Sequence, residues 1–406
     1  MAVEVLRCRM CASEYPATAN GVCSQCFGPL EPVYDWDEVA RVATRERIEA
    51  GPYSLWRYAM LLPAEPPEDG ASGPGWTPLV PAPRLASAVG VGEVFLKLDL
   101  SNPTHSFKDR VVAVAAAKAR EFGFETLSAT STGNLAGAVA SRAAAIGMEA
   151  VIFCPANLEP EKLQAATVYG ARIYGVLGSY DDCSRLVSEL AGEVDWGIVN
   201  VNLRSYYSEG SKTLAFEIAE QLGWETPDAV VMPIGSGAMF TKVHKGFEQF
   251  RRLELVDGPQ PKLIGGQAEG CSPVASAFAE ERRVTPVRPQ SAVSSIAIGN
   301  PADGDLAVEV ANVSGGGVYA VAEDEVGGNI SLLAHSAGIF GEGATGVAVG
   351  ALREAVARGT LGENDRVVVL VTGTGLKTPQ LAEHSGEVVE IAPDVDALLD
   401  ELGVSV

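Results

Sequence analysis

The chain has 406 residues, more than one hydrophobic core usually serves, so two or more lobes are expected. Hydrophobic residues make up 47% and charged residues 20%, the composition of a packed globular protein, and the longest apolar stretches, residues 111–117 and 367–371, are far too short to span a bilayer. A formal charge of −22, from 52 acidic and 30 basic residues, argues against a nucleic-acid partner, because phosphate contact needs a basic field. Residues 1–9 lack a signal-peptide pattern, which leads us to expect a cytoplasmic protein with no membrane partner.

Residues 1–34 read as a separate unit. Four of the seven cysteines lie here, as two knuckles, Cys8-Arg9-Met10-Cys11 and Cys23-Ser24-Gln25-Cys26, with eleven residues between them. A two-residue gap lets both sulfurs of a knuckle face one ion, so Cys8, Cys11, Cys23 and Cys26 are candidate ligands of a structural zinc. The alternative is a ribbon without its ion, or free thiols. So short a segment has little core of its own, and metal would supply its folding energy. Arg7 and Arg9 are offset by Glu4, Glu14 and Glu31, a poor footprint for nucleic acid. Cys154, Cys183 and Cys271 are scattered and read as small buried hydrophobes.

Residues 35–62 are expected to be mostly helical, and 63–75 an exposed loop. Strands and helices then alternate: strand 94–98, helix 108–121, strand 126–130, helix 134–146, strand 149–154, helix 159–169, strand 172–176, helix 180–191 and strand 197–201. Helix 211–222, strand 229–234, helix 238–254 and strand 262–267 continue the pattern. Strand 318–321, a helix 323–337 broken at Gly327-Gly328, helix 345–358 and strand 366–371 follow. Residues 387–406 suggest a small tail with a strand 388–391 and a helix 394–401. Short buried strands between helices indicate a parallel α/β protein with right-handed crossovers.

Four loops at the carboxyl ends of these strands carry candidate chemistry. Ser101-Asn102-Pro103-Thr104-His105-Ser106-Phe107-Lys108-Asp109-Arg110 turns at Asn-Pro, with Ser106 a candidate N-cap and Lys108 in the first helical turn. A cation at a helix N-terminus is mismatched to the dipole, unless the amine must be neutral and nucleophilic. Ser131-Thr132-Gly133-Asn134 offers hydroxyls and amide donors for a carboxylate, or else is an ordinary helix cap. Gly235-Ser236-Gly237-Ala238-Met239 suits one phosphate group; it lacks the third glycine of a dinucleotide fingerprint. Thr372-Gly373-Thr374-Gly375-Leu376-Lys377 could set the Thr372 hydroxyl against a ring nitrogen. An amine, a carboxylate holder, a phosphate nest and a hydroxyl match parts of one ligand if the loops converge in one crevice.

The stretch Asn102-Pro103-Thr104 to Ser106-Phe107-Lys108-Asp109-Arg110 resembles the cofactor-lysine motif of the fold-type II pyridoxal-phosphate enzymes. Thr77-Pro78-Leu79 is similar to their entry segment, 131–134 to their substrate-carboxylate loop and 235–239 to their phosphate loop. Within that family, Asn202-Leu203-Arg204, Glu209-Gly210-Ser211-Lys212-Thr213 and the Thr372–Lys377 stretch resemble the threonine synthases. The resemblance implies two parallel-sheet, three-layer lobes behind the four-cysteine ribbon: 1–34 as a cap, 35–104 with 206–406 as the large cofactor-binding lobe, and 105–205 as the smaller one. It implies pyridoxal 5′-phosphate on Lys108, with Asn134 at its 3′-oxygen, Thr372 at its ring nitrogen and Gly235, Ser236, Gly237, Ala238 and Met239 at its phosphate. For a small phosphorylated amino acid it implies Ser131, Thr132 and Gly133 at the carboxylate. Arg204, then Lys212, then Lys377 are the candidates for the substrate's own phosphate. It also implies a homodimer. Departures are His105, where glycine is usual, Val111 after Arg110, and Gly-Ser-Gly-Ala-Met where many threonine synthases have Gly-Asn-Gly-Gly-Asn.

The implied reaction is γ-elimination and β-hydration of O-phospho-L-homoserine to L-threonine and phosphate. Rival reactions in the family are β-replacement on O-phosphoserine, as in cysteate synthesis, and dehydration of threonine or serine. The rival of another class is a regulatory binding protein carrying a zinc ribbon.

Overall fold

Runs of valine, isoleucine and leucine, too short for helices and apolar on both faces, form the centre of the molecule. In the computed structural model, which describes residues 3–67, 73–158, 160–383, 386 and 388–403, they build two largely parallel sheets and a small antiparallel one. Strands β1 (Val5–Cys8), β2 (Glu14–Pro16) and β3 (Leu30–Pro32) make the antiparallel ribbon, in the order β2-β1-β3. Next come β4 (Leu79–Pro81) and β5 (Glu93–Leu98). Then β6 (Thr126–Thr130), β7 (Glu149–Pro155), β8 (Arg172–Val176) and β9 (Gly197–Ile198) form a parallel sheet ordered β8-β7-β6-β9. Finally β10 (Ala229–Pro233), β11 (Lys262–Ala268), β12 (Gly317–Val321) and β13 (Arg366–Val371) join the earlier pair in the order β12-β11-β10-β13-β5-β4, with only β4 antiparallel. The smaller sheet is therefore inserted between two halves of the larger one.

Alternate residues of one strand face opposite sides of a sheet. Val368 and Leu370 of β13 enter one core while Val367, Val369 and Val371 enter another. Leu127, Ala129 and Ile152 of the smaller sheet face one core, and Val151, Phe153 and Ile198 face a second. Each parallel sheet is thus the middle of three layers. The ribbon belongs to neither sheet and seats on both bodies. Leu6, Cys8, Cys23 and Leu30 join the core under the smaller sheet, while Val3 and Tyr34 join that of the larger.

The helix Lys108–Glu121 carries the candidate lysine from the large sheet into the smaller body. Its start is fixed by Arg110, which is fully buried. The guanidinium donates to Asp99 (2.7 and 2.8 Å) and to Thr77 (3.0 Å), and it pairs with both carboxylate oxygens of Glu217. Lys97 of β5 adds a second cation 2.6 Å from Glu217. Burial alone would raise the Glu217 carboxyl, but Arg110 and Lys97 hold it down to about 2.

The irregular regions differ from the sequence reading. Residues 35–62 are mostly helical as expected, but broken into two short helices, Trp36–Val42 and Arg45–Glu49, and a 3-10 segment, Leu55–Leu61. Gly327 and Gly328 do not break the helix Glu325–Ala337. A side chain at Gly327 would meet the carbonyl of Leu381 at 3.0 Å, so this glycine allows close packing of the later chain. Ser106 is not the N-cap: Phe107 occupies that position and no side chain caps the helix. Residues 388–391 form no strand, and Val388 and Val389 lie exposed. The helix Val395–Glu401 is present, whereas Glu387 and residues 404–406 of the tail, like 68–72 of the expected loop and Glu159, lie outside the described residues.

Arg110→Met leaves Asp99 and Glu217 facing only Lys97, and should cost about 3–5 kcal/mol in a urea unfolding curve. The depressed Glu217 carboxyl contributes to the acid limit, together with Glu209 and Glu31, which their lysine partners also hold down. Its contribution is complete above the ordinary carboxyl range of roughly 4.3 and is lost as pH falls toward about 2. Acid unfolding of the wild type should therefore steepen in that window, and an unchanged urea midpoint between pH 5 and 3 would contradict it.

Candidate active site

After β5 the chain makes a 3-10 turn, Asp99–Ser101, and then doubles back. His105 sits at φ 59°, in the left-handed region where a side chain is strained and glycine is not. This explains why glycine is the usual occupant there. The next residues are stitched to the loop after β13. Phe107 N donates to the Thr372 carbonyl at 2.9 Å, Thr374 N to the His105 carbonyl at 3.2 Å, and Ser106 bridges Gly373. Two of the four loops are therefore one structural piece, with Lys108 beginning the helix beside it.

The Lys108 amine is half-buried, and no carboxylate lies within ion-pairing distance of it among the described residues. Its hydrogen bond goes to the Tyr207 hydroxyl, at 3.1 Å. Asn134 and Thr372 are brought to one place by a residue that sequence reasoning missed, Glu342. Its carboxylate accepts from Asn134 Nδ2 (2.9 Å) and Thr372 Oγ1 (3.1 Å), and its backbone N–H donates to the Gly373 carbonyl (3.0 Å). Lys377 Nζ donates to Asn134 Oδ1 (2.8 Å) and to the Thr104 carbonyl (2.5 Å). Burial pushes the Glu342 carboxyl above its usual range, against the opposing pull of Asn134, Lys377, Thr372 and Lys108. Burial also pulls the Lys377 amine down, while Glu342 and Asp109 support its charge. The only sequence signal for Glu342 was a lone charge between glycines, Gly341-Glu342-Gly343, next to an apolar helix.

The third loop, 131–134, follows β6. Ser131 Oγ accepts from the N–H groups of Gly133 (3.2 Å) and Ala136 (3.1 Å), bracing the turn into the helix Asn134–Ile146, whose N-cap is Gly133. A side chain at Gly133 would meet nothing within 4 Å, so the loop tip beside Thr132 faces open space. The fourth loop, 235–239, follows β10. Gly237 has φ 90°, and a side chain there would strike the Asp303 carbonyl at 2.7 Å. Among the described residues, the N–H groups of Gly235, Ser236 and Gly237 donate to no backbone carbonyl. They precede the helix Ala238–Arg252, whose first turn adds its positive dipole end. Among the described residues no hydrogen bond or ion pair joins this loop to Lys108; it is tied to the site through Asp303. Asp303 N donates to the Ser236 carbonyl (2.9 Å), and the Asp303 carboxylate pairs with Arg204 (2.8 Å). Arg204 opens the short helix that ends in Tyr207.

Lys212 does not belong to the site. It is fully buried, with Nζ 2.7 Å from Glu209, and it donates to the Leu61 carbonyl (2.8 Å) and the Tyr34 hydroxyl (3.1 Å). Burial pushes its amine down to about 7 in spite of Glu209. A cation closed off from solvent and already saturated has no donor for a ligand, so its expected role at a substrate phosphate is withdrawn. The same network ties in the ribbon: Lys242 and Lys245 each pair with both Glu209 and Glu31 of β3.

The four N-terminal cysteines converge. Their sulfurs all lie within 4.8 Å of one another, with neighbouring pairs at 3.4–3.6 Å. Both knuckles have the same form. The residue after each, Ala12 and Phe27, lies at φ 59° and donates its N–H to the carbonyl of the knuckle's first cysteine at 3.0 Å. Met10 N and Gln25 N point at the sulfurs of Cys8 and Cys23, both at 3.4 Å.

Residues 71–373 match the family model described as pyridoxal-phosphate dependent enzyme. The threonine synthase of Methanocaldococcus jannaschii is 33% identical over 397 residues, 97% of this chain and 98% of that protein. The threonine synthase of Methanosarcina acetivorans is 35% identical over 401 residues, 98% of this chain and 97% of that one. Among solved structures, threonine deaminase isoform 2 of Solanum lycopersicum superposes with a TM-score of 0.65, covering 87% of this chain and 95% of that one at 21% identity, a likeness of fold.

The raised Glu342 carboxyl gives a signed test. A carboxyl whose folded pKa lies above its unfolded value favours folding when protonated, and loses that contribution as pH rises through the folded value. Glu342→Gln, a mimic of the neutral form, should gain thermal stability relative to the wild type between pH 5 and pH 8. A constant difference in Tm across that range would show that burial does not govern this group.

Proposed function

The chain belongs to the pyridoxal-phosphate-dependent enzymes and, among them, to the threonine synthases; from that premise we propose that it converts O-phospho-L-homoserine and water into L-threonine and phosphate. The observation that carries the reading is the Lys108 amine, held at a helix start by a neutral hydroxyl and joined through the 104–107 loop to Thr372, Lys377 and Asn134. Near-complete coverage by curated threonine synthases favours this reaction over the others run on the fold.

Pyridoxal phosphate fits the residues present. Ser106 Oγ is buried beside the lysine without a hydrogen-bond partner among the described residues. The 235–237 loop has backbone N–H groups uncommitted to the backbone at a helix start, the donor set a phosphate needs. Lys108 would carry the cofactor, Gly235 to Met239 its phosphate, and Asn134 and Thr372 its ring. The bound cofactor supplies an electron sink that makes the α-hydrogen of an amino acid acidic. The Lys108 amine, when free, is the base placed to take that proton and to return protons. Thr132, Gly133 and the helix start behind them would hold the substrate carboxylate, with Ser131 bracing the turn. Arg204 would take the substrate's own phosphate by exchanging Asp303 for it, since guanidinium matches phosphate geometry. Lys377 adds a second positive charge beside Asn134.

The same reading divides the chain into a cap (1–34), a large lobe (35–104 with 206–406) and a small lobe (105–205), a division supported by sheet membership. It makes the cysteine cluster a structural zinc site. A zinc–sulfur bond of about 2.3 Å sets tetrahedral sulfurs roughly 3.8 Å apart, close to the spacing seen. With four thiolates the shell is complete, so the ion would stabilise the cap and take no part in the reaction. A cytoplasmic homodimer completes the reading; no described helix is long and apolar enough to cross a membrane.

Purified protein given pyridoxal phosphate and O-phosphohomoserine should release threonine and phosphate in equal amounts, and Lys108→Ala should lower turnover by about 10³-fold or more. Turnover of O-phosphoserine with sulfite, and no threonine from O-phosphohomoserine, would assign the β-replacement instead. Elemental analysis should find one zinc per chain, with Cys8→Ser lowering both zinc content and Tm. A metal-free protein of unchanged Tm would remove the zinc assignment.

A further inference from the structure

The Lys108 amine and the Tyr207 hydroxyl are each other's hydrogen-bond partner at 3.1 Å, and neither has another among the described residues. Tyr207 is 8% exposed, and its ring packs in the core under the smaller sheet. The short helix that presents it, Arg204–Tyr207, is held on two sides. On one, Tyr206 donates to the Thr18 carbonyl (2.8 Å) and Ser205 to the Asn20 carbonyl (3.2 Å), both on the ribbon. On the other, the turn that follows presses on the lysine helix, where a side chain at Gly210 would strike the Arg110 carbonyl at 2.7 Å. The hydroxyl is thus set by the scaffold and does not drift with the lysine.

A phenol both accepts an N–H and donates an O–H. It can hold an amine with or without its extra proton, whereas a carboxylate would favour the ammonium form. We propose that Tyr207 is a further catalytic residue: its hydroxyl holds the Lys108 amine in its working direction whenever that amine is free of the cofactor. The inference rests on Lys108 as the cofactor lysine. It does not depend on which amino acid is the substrate.

The test uses apoprotein and Tyr207→Phe, which keeps the ring and removes only the hydroxyl. Pyridoxal phosphate uptake, followed by its absorbance change, should slow about five- to tenfold. On the loaded enzyme kcat should fall roughly ten- to a hundredfold with KM within about threefold, while Tm stays within about 2 °C of the wild type. Tyr207→Leu, which also loses the ring, separates packing from hydrogen bonding. Wild-type uptake and turnover in Tyr207→Phe, with loss only in Tyr207→Leu, would overturn the inference and leave Tyr207 a packing residue. Failure of the wild-type apoprotein to take up the cofactor would instead defeat the Lys108 reading on which it stands.

Discussion

One guanidinium without water around it sets the geometry of everything near the candidate lysine. Arg110 lies two residues beyond Lys108 and is clamped by carboxylates from two different elements, Asp99 after β5 and Glu217 on the helix Lys212–Gln221. A buried charge is costly unless each of its donors is matched. With five donors in a planar fork, Arg110 is matched in one orientation. The helix start can neither slide nor turn without leaving an unpaired ion in the core. The network therefore contributes position, whatever its net effect on stability.

Around that fixed point the polarity is graded. The deep layer beneath the lysine is strongly ionic, with Arg110, Lys97, Asp99 and Glu217. The layer at the lysine is less ionic: a phenol, an amide and two hydroxyls, with the Lys377 amine pulled down by burial and the Glu342 carboxyl pushed toward its protonated form by burial. Charge returns at the Arg204–Asp303 pair, which is partly exposed. Such an order suits chemistry in which an amine must repeatedly gain and lose a proton. A full counter-charge at its side would hold it in one state.

Most regular parts of the fold were legible because the central strands are short apolar runs set between helices. The expected 366–371 strand appears with the same bounds, and the 149–154 strand gains only one residue. The metal-type cluster was legible from spacing alone, since two knuckles allow few arrangements of four sulfurs. What failed had no local signal. Lys212 read as a site cation because its neighbours form part of a motif, but its burial depends on Tyr34, Leu61 and Glu209 meeting in space. Glu342 and Tyr207 lie 234 and 99 residues from Lys108 along the chain. Only the folded chain brings them near it. Ser106 looked like a cap because it precedes a helix, yet pairing with Gly373 took its backbone into a bridge instead.

The ribbon's seat on both bodies bears on how the protein tolerates trimming. Without residues 1–34, the apolar surface now covered by Leu6 and Leu30 would open to water along the smaller body. Lys242 and Lys245 would also lose Glu31, leaving three ammonium groups, with Lys212, gathered on Glu209 alone. That repulsion would fall on the very helix whose first turn follows the glycine loop at 235–237. A shortened chain would thus be weakened under the smaller sheet and at the helix behind the glycine loop at once, and solubility and stability would decline together.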